Sequence, residues 1–128
     1  MNSRALIKHN NKILLCYMKK DDFYFLPGGH IESYETAIDC IYREFKEEMN
    51  IDKNDIKIKK FLGLLEFDFN GKYGRDPVFE VELNNYDNIK SVENHIDFVW
   101  VDINNIDNID FRPVSMKKII NGETGYIL

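Results

Sequence analysis

Cysteine is scarce in this chain of 128 residues, which contains two, Cys16 and Cys40. They do not form a CxxC pair, and a disulfide framework or a zinc knuckle needs more cysteines at defined spacings. We therefore expect neither kind of site. Both cysteines are predicted to be buried thiols in a reducing cytoplasm.

Long hydrophobic runs are also missing. The longest apolar run near the start covers residues 13–18, whereas a membrane-spanning helix needs about 20 apolar residues. The same region lacks the small-residue cleavage site of a signal peptide. We therefore expect a cytoplasmic protein that does not contact a membrane.

An excess of positive charge is absent, because 17 basic side chains stand against 22 acidic ones and the formal net charge is −5. Binding to a nucleic-acid polymer requires a basic surface, so we expect no such partner. Small phosphate-bearing ligands are not excluded, since a metal ion can bridge phosphates to carboxylates. Residues 32–48 contain six acidic and two basic side chains, a local net charge of −4. Most of the negative charge therefore belongs to one segment.

The composition is otherwise that of a folded protein, with 44% hydrophobic and 13% aromatic residues. The length suits one domain over residues 1–128. Apolar and alternating segments predict strands at 4–9, 12–18, 23–26, 56–69, 79–83 and 96–101. Turns are predicted at 10–11 and 70–71, a continued loop at 73–76, and a short helix at 115–121 that Gly122 ends.

Residues 35–49 carry the clearest helical pattern. Apolar residues recur there at three- and four-residue steps and form one stripe, made of Ile38, Ile41, Tyr42, Phe45 and Met49. Asn50 follows and is suited to a left-handed C-terminal position. Strands on both sides of one long helix predict an α/β or α+β sandwich around a mixed sheet.

Three carboxylates share another face of this helix. Glu44, Glu47 and Glu48 stand at positions i, i+3 and i+4. Like charges this close repel one another unless a cation lies among them, and ligands that are all oxygen suit magnesium, manganese or calcium. The alternative is a solvated acidic face. Two features weigh against this purely structural role. Negative charge at the C-terminal end of the helix opposes the helix dipole, and the nearby pair Gly28-Gly29 lets the backbone approach a ligand closely.

Residues 29–51 resemble the Nudix box. That pattern is Gly, five residues, Glu, seven residues, then Arg-Glu-apolar-any-Glu-Glu-any-Gly-apolar. Gly29, Glu35 and the run from Arg43 to Ile51 match every fixed position except one, since Asn50 stands where the family has Gly. Asn tolerates a positive φ better than other non-Gly residues, so we expect the turn after the helix to be preserved. Residues 26–29 and 98–102 also resemble common features of the family.

The resemblance implies a Nudix-type α/β/α sandwich in which the box forms a loop-helix-loop. It also implies hydrolysis of a nucleoside diphosphate linked to another group, with Mg²⁺ as cofactor and Mn²⁺ as a possible substitute. By the same resemblance, Glu44, Glu47 and Glu48 are metal ligands and the Gly28 carbonyl is a further one. The ions would neutralise the diphosphate and position a water for in-line attack.

The resemblance also assigns supporting and catalytic roles. Arg43 holds the glutamates, and it can pair on the helix with Glu47 or with Asp39. Glu47 or Glu48 helps to deprotonate the attacking water. Glu35, placed at the helix start, and Gly29 support the site. Outside the box, Glu93 and Asp97 are candidate auxiliary bases, although a plain surface charge is the favoured interpretation of both.

Substrate-binding residues are harder to identify. His30 follows the glycine pair and is a candidate phosphate contact, with a loop-stabilising hydrogen bond as the alternative. Tyr24 and Tyr73 are candidate ligand contacts, and Phe67 and Phe69 are candidates for base stacking, although core packing is favoured for the two phenylalanines.

Three functional classes stay open at this stage. The first is a hydrolase with a slight preference for nucleoside triphosphates, as in MutT-like enzymes, or one acting on ADP-ribose or dinucleoside polyphosphates. The second is a non-catalytic nucleotide-binding module. The third is a structural acidic helix without a metal. Retention of Arg43, Glu44, Glu47 and Glu48 together favours the enzyme. The oligomeric state is not indicated.

Overall fold

The computed structural model describes residues 1–69, 71–87 and 89–120. In chain order, the strands and helices of these residues are β1 (Asn2–Leu6), β2 (Lys8–His9), β3 (Lys12–Met18), β4 (Phe23–Phe25), β5 (Gly28–His30), α1 (Ala37–Met49), β6 (Ile56–Phe69), β7 (Lys72–Leu83), β8 (Ile96–Asp102) and α2 (Met116–Ile120). Short 3-10 helices cover Lys53–Asp55 and Ile103–Asn108.

The strands form two four-stranded sheets. The first has the order β5-β1-β7-β6 and is mixed, because β1 runs parallel to β7 while the other pairs are antiparallel. In the second, β8 pairs with the full length of β3, while β2 and β4 pair with the two ends of β3. The predicted sandwich with a mixed sheet is therefore confirmed, with its strands divided between two sheets.

The two helices lie against opposite faces of these sheets. Leu14 packs in one core cluster with residues of α1, such as Ile41 and Phe45. Its neighbours Ile13 and Leu15 pack in the other cluster, with residues of α2. Successive side chains of a strand point to opposite faces, so the apolar run of β3 supplies both cores. Both cysteines are buried and free, as predicted.

The turns that the sequence marks most strongly are found. Asn10 and Asn11 both have positive φ, 52° and 62°, which is the backbone of a two-residue hairpin turn. Asn50 has φ 55° and ends α1 in the left-handed conformation, also as predicted. Among the described residues, no helix is long and apolar enough to cross a membrane.

Other boundaries differ from the predictions. Residues 73–76 are not a loop, because they belong to β7 and pair with the end of β6. Gly28 and Gly29 do not simply end a strand, since they form β5 against β1. The predicted strand 4–9 is divided into β1 and β2, and helix 35–49 begins at Ala37. In each case pairing with a distant segment overrides the local pattern. The predicted end of α2 at Asn121 and Gly122, and Asn70 of the predicted turn, lie outside the described residues.

Candidate active site

Helix α1 supplies most of the predicted site, and local interactions fix where it begins. Thr36 is the N-cap, and its hydroxyl accepts from the Asp39 backbone N–H at 3.1 Å, while the Asp39 carboxylate accepts from the Thr36 N–H at 3.4 Å. This capping box ties Asp39 to the start of the helix. The apolar stripe differs from the prediction at Ile38, which is 39% exposed, whereas Cys40 is fully buried.

Arg43 is the centre of the site. Its Nη1 donates to Glu44 at 2.9 Å and to Glu47 at 3.2 Å, and its Nη2 donates to the His30 carbonyl at 2.8 Å. The other edge of the guanidinium forms a bidentate pair with Glu35, at 3.0 Å from Nε and 2.7 Å from Nη2. The Arg43 guanidinium therefore holds three carboxylates of the box.

Glu35 is the most buried of the three carboxylates that bond to Arg43. Its side chain is 5% exposed, and it also accepts from the Glu32 N–H at 3.0 Å. These bonds, chiefly those from Arg43, hold the pKa of Glu35 low, at about 2. Glu35 lies in the loop before the helix, and so the prediction that it opens the helix is wrong.

The glycine pair brings backbone close to the carboxylates. A side chain on Gly29 would collide with the Glu44 carboxylate, and one on Gly28 would collide with the Ser3 carbonyl of β1. Gly28 also has φ 141°. The site therefore needs glycine twice, once to admit a carboxylate and once to admit a neighbouring strand.

Glu48 has a different environment from Glu47. Glu47 is exposed, whereas Glu48 is half-buried. Burial and the adjacent Glu44 raise the pKa of Glu48 well above its ordinary value, with a further contribution from Glu93, while Arg4 opposes the shift. The Glu48 carbonyl accepts from the Val92 N–H at 2.9 Å, which attaches the loop carrying Glu93 to the helix.

A divalent cation fits the chemistry of this donor set. Within residues 1–69, 71–87 and 89–120, no three His, Cys, Asp or Glu side chains are arranged to hold a metal, because Glu44 and Glu47 turn to Arg43. Glu44 and Glu48, however, are close enough for the Glu44 carboxylate to raise the pKa of Glu48, and a shared proton or a cation would relieve this repulsion. Oxygen ligands beside a close backbone approach suit Mg²⁺ or Mn²⁺.

The other predicted residues lie at different places. The His30 side chain is exposed, and it is the His30 carbonyl that contacts Arg43. The Tyr24 ring is tilted by 40° against the Tyr17 ring, with 4.9 Å between the ring centres, and it packs on the core. Tyr73 is 63% exposed and interacts with Glu66. Asp97 pairs with Lys19 at 3.3 Å, and Glu93 lies 3.2 Å from the His95 Nε2. Of these two auxiliary candidates, Glu93 is the one whose negative charge acts on Glu48 and raises its pKa.

Sequence reasoning missed two residues next to the site. The Cys40 thiol donates to the carbonyls of Gly29 and His30, at 3.3 and 3.4 Å, and so holds β5 on α1. Arg4 donates to the Leu26 carbonyl at 3.1 Å and lies 5.5 Å from the Phe25 ring centre. Neither residue stands at a fixed position of the motif, and Arg4 reaches the site because β1 pairs with β5.

Comparison with known proteins identifies the family. A model of the NUDIX domain matches residues 2–121. The chain belongs to the NUDIX domain family. It is 38% identical over 63 residues to an ADP-ribose pyrophosphatase of Methanocaldococcus jannaschii, and this match covers 47% of the chain but 36% of the relative's length.

Solved structures agree on the fold. A Caenorhabditis elegans Ap4A hydrolase is 21% identical with a TM-score of 0.76, covering 94% of this chain and 91% of that one. A MutT protein of methicillin-resistant Staphylococcus aureus is 24% identical with a TM-score of 0.67, covering 96% of this chain and 93% of that one. The NUDIX fold of the described residues is thereby confirmed.

Proposed function

We propose that this NUDIX domain hydrolyses a diphosphate bond in a nucleoside diphosphate linked to another group, with Mg²⁺ as cofactor and Mn²⁺ as a substitute. The observation that carries the proposal is the cluster in which Arg43 holds Glu35, Glu44 and Glu47 together beside Gly29. A non-catalytic module would not need this ordered set of carboxylates.

The residues take the following roles. Glu44, Glu47 and Glu48, with the Gly28 carbonyl, would hold the divalent cation, which supplies charge neutralisation of the diphosphate. Arg43 orients the carboxylates. Glu47 or Glu48 accepts the proton of the attacking water.

The test is the hydrolysis of nucleotides by the Glu48→Gln variant. We expect it to lose most turnover while it keeps its fold, because the amide cannot accept a proton and is a poorer cation ligand. Phosphate and pyrophosphate release measure turnover, and circular dichroism checks the fold. Glu82→Gln, an exposed glutamate that pairs with Lys59 on the edge of the sheet, is the matched control and keeps full activity. Unchanged Mg²⁺-dependent turnover in Glu48→Gln would contradict the assignment.

The same assay tests the cofactor. EDTA should abolish turnover and added Mg²⁺ should restore it, whereas EDTA-insensitive hydrolysis would rule out the metal-dependent mechanism.

We favour nucleoside triphosphates as substrates. ADP-ribose and dinucleoside polyphosphates are the alternatives, supported by the names of the archaeal relative and the nematode structure. A panel of all three classes with Mg²⁺ and Mn²⁺ separates them. The proposal also includes a cytoplasmic location and action on small nucleotides rather than on nucleic-acid polymers.

A further inference from the structure

A cavity of about 600 Å³ lies between residues of β1, β4 and β7, and Arg4 is one of its lining residues. Residues of both sheets and of segment 110–116 line it, and the walls are mainly apolar, with Phe23, Phe25 and Phe67 among them. This volume lies within the range of small-molecule sites, which are lined by aromatic side chains and a few polar groups.

Arg4 connects this cavity to the proposed catalytic cluster. It lines the cavity, and its partner across the β1–β5 pairing is Gly28. Its charge acts on Glu48 and also on Asp76. A ligand whose flat end fills the cavity can therefore extend its phosphates past Arg4 towards the glutamates.

The aromatic walls are held in place before any ligand arrives. The Arg112 guanidinium lies 4.4 Å from the centre of the Phe23 ring, and Asp110 holds it with bonds of 2.8 and 3.1 Å. Backbone bonds of 2.8 Å join Tyr24 to Asp110 and to Arg112, which fixes this segment against β4. Such a wall favours a planar heterocycle, because any base can stack on it.

Three carboxylates line the cavity, and Asp76 is the buried one, whereas Asp68 and Asp110 are exposed. Asp76 is 4% exposed, and its Oδ1 accepts from the Asn2 N–H at 2.8 Å. A carboxylate in apolar surroundings is costly unless donors surround it. Guanine presents two adjacent donors, N1–H and the 2-amino group. Adenine and cytosine place an amino group next to an acceptor, and the single N–H of uracil lies between two acceptors.

We propose that this cavity binds the guanine base of a nucleotide substrate, with Asp76 accepting hydrogen bonds from N1–H and the 2-amino group. The inference rests on the proposed function for the reaction and adds the base to it.

The test compares GTP with ITP, which lacks only the 2-amino group, and with ATP. We expect the wild-type protein to favour GTP over both by about five- to a hundredfold in kcat/KM, the discrimination of a bidentate contact. In Asp76→Asn the preference for GTP over ITP and over ATP should be lost, with ratios of one or below. The amide oxygen accepts from one guanine N–H while its NH2 group opposes the other, and an amide matches the donor and acceptor of adenine. Each ratio is taken within one preparation, so a partly folded variant does not alter it. Asp107→Asn, the same change at an exposed residue of the 3-10 helix Ile103–Asn108, keeps the preference.

Calorimetry of GMP and IMP binding to the full chain gives a second readout that needs no turnover. Tighter binding of GMP by the wild type, lost in Asp76→Asn, supports the inference even if no nucleotide is hydrolysed, in which case the proposed reaction alone fails. The inference is overturned if the wild type binds GMP and IMP equally, or if a guanine preference survives in Asp76→Asn. Neither result contradicts the proposed hydrolysis.

Discussion

At the scale of single residues, two neighbouring glycines are needed for different reasons. A Cβ on Gly28 meets the backbone carbonyl of Ser3, and a strand backbone cannot move without breaking its ladder. A Cβ on Gly29 meets the far end of the Glu44 side chain, which can turn away. The first glycine therefore serves the fold, and the second serves the position of a carboxylate.

We expect the two alanine variants to fail in different assays. Gly28→Ala should lower the free energy of unfolding by about 2–4 kcal/mol, from the clash and the positive φ. Gly29→Ala should keep most of its stability but lose about 10- to 100-fold in turnover, as when a metal ligand is misplaced. Urea unfolding and nucleotide hydrolysis measure the two effects. Full activity in Gly29→Ala would show that the position of Glu44 is not critical.

At the scale of elements, α1 ends where the box pattern departs from the family. Asn50 occupies the left-handed position with φ 55°, and its N–H donates to the Lys46 carbonyl at 3.1 Å. The next N–H, that of Ile51, bonds to the Phe45 carbonyl at 3.3 Å. Asparagine therefore performs the backbone task of the usual glycine, and the glutamates one turn earlier keep their places.

Substitutions at Asn50 separate the contribution of its backbone conformation to stability from that of its side chain. Asn50→Ala should lower the free energy of unfolding by about 1–2 kcal/mol, the cost of a left-handed conformation for an ordinary residue. Asn50→Gly should be at least as stable as the wild type, since glycine adopts this conformation freely. Thermal and urea unfolding compare the three proteins. A glycine variant less stable than the alanine variant would show that the Asn50 side chain, rather than φ, matters.

At the scale of the whole molecule, the net charge is −5, and the pKa values of two of its carboxyl groups shift in opposite directions. Arg43 neutralises part of the acidic segment and lowers the pKa of Glu35. Within the described part of the chain Glu48 forms no ion pair, and burial raises its pKa although the charge of Arg4 opposes the shift. A carboxyl with a raised pKa binds its proton more tightly in the folded than in the unfolded chain, so folding stability falls as pH rises through that range. A lowered pKa acts in the opposite direction.

We therefore expect opposite pH profiles for two Gln variants in EDTA. Glu48→Gln should become more stable than the wild type as pH rises from about 4.5 towards about 9, the interval between the ordinary and shifted pKa of Glu48. Added Mg²⁺ should reduce this advantage. Glu35→Gln should be less stable than the wild type above pH 4.5, and the difference should vanish as pH falls to about 2. Denaturant unfolding across pH measures both, and parallel profiles would contradict the assigned environments.

The sequence by itself determined the features that depend on neighbours along the chain. The 3.6-residue period placed Glu44, Glu47 and Glu48 on one helix face, and Asn10-Asn11 and Asn50 specified their backbone conformations. The motif could therefore be identified without a structure. The exact apolar stripe could not, because burial of Cys40 rather than Ile38 depends on what packs against α1.

Only the tertiary structure decided which groups meet across the fold. Arg43 bonds to Glu35 from the preceding loop, although Asp39 on its own helix was also within reach. Residues 73–76 become strand because β6 pairs with them. Asp76 bonds to Asn2 across 74 residues of sequence, and both residues line the cavity. Such contacts follow from strand pairing and from burial in a shared core, neither of which a local pattern of residues encodes.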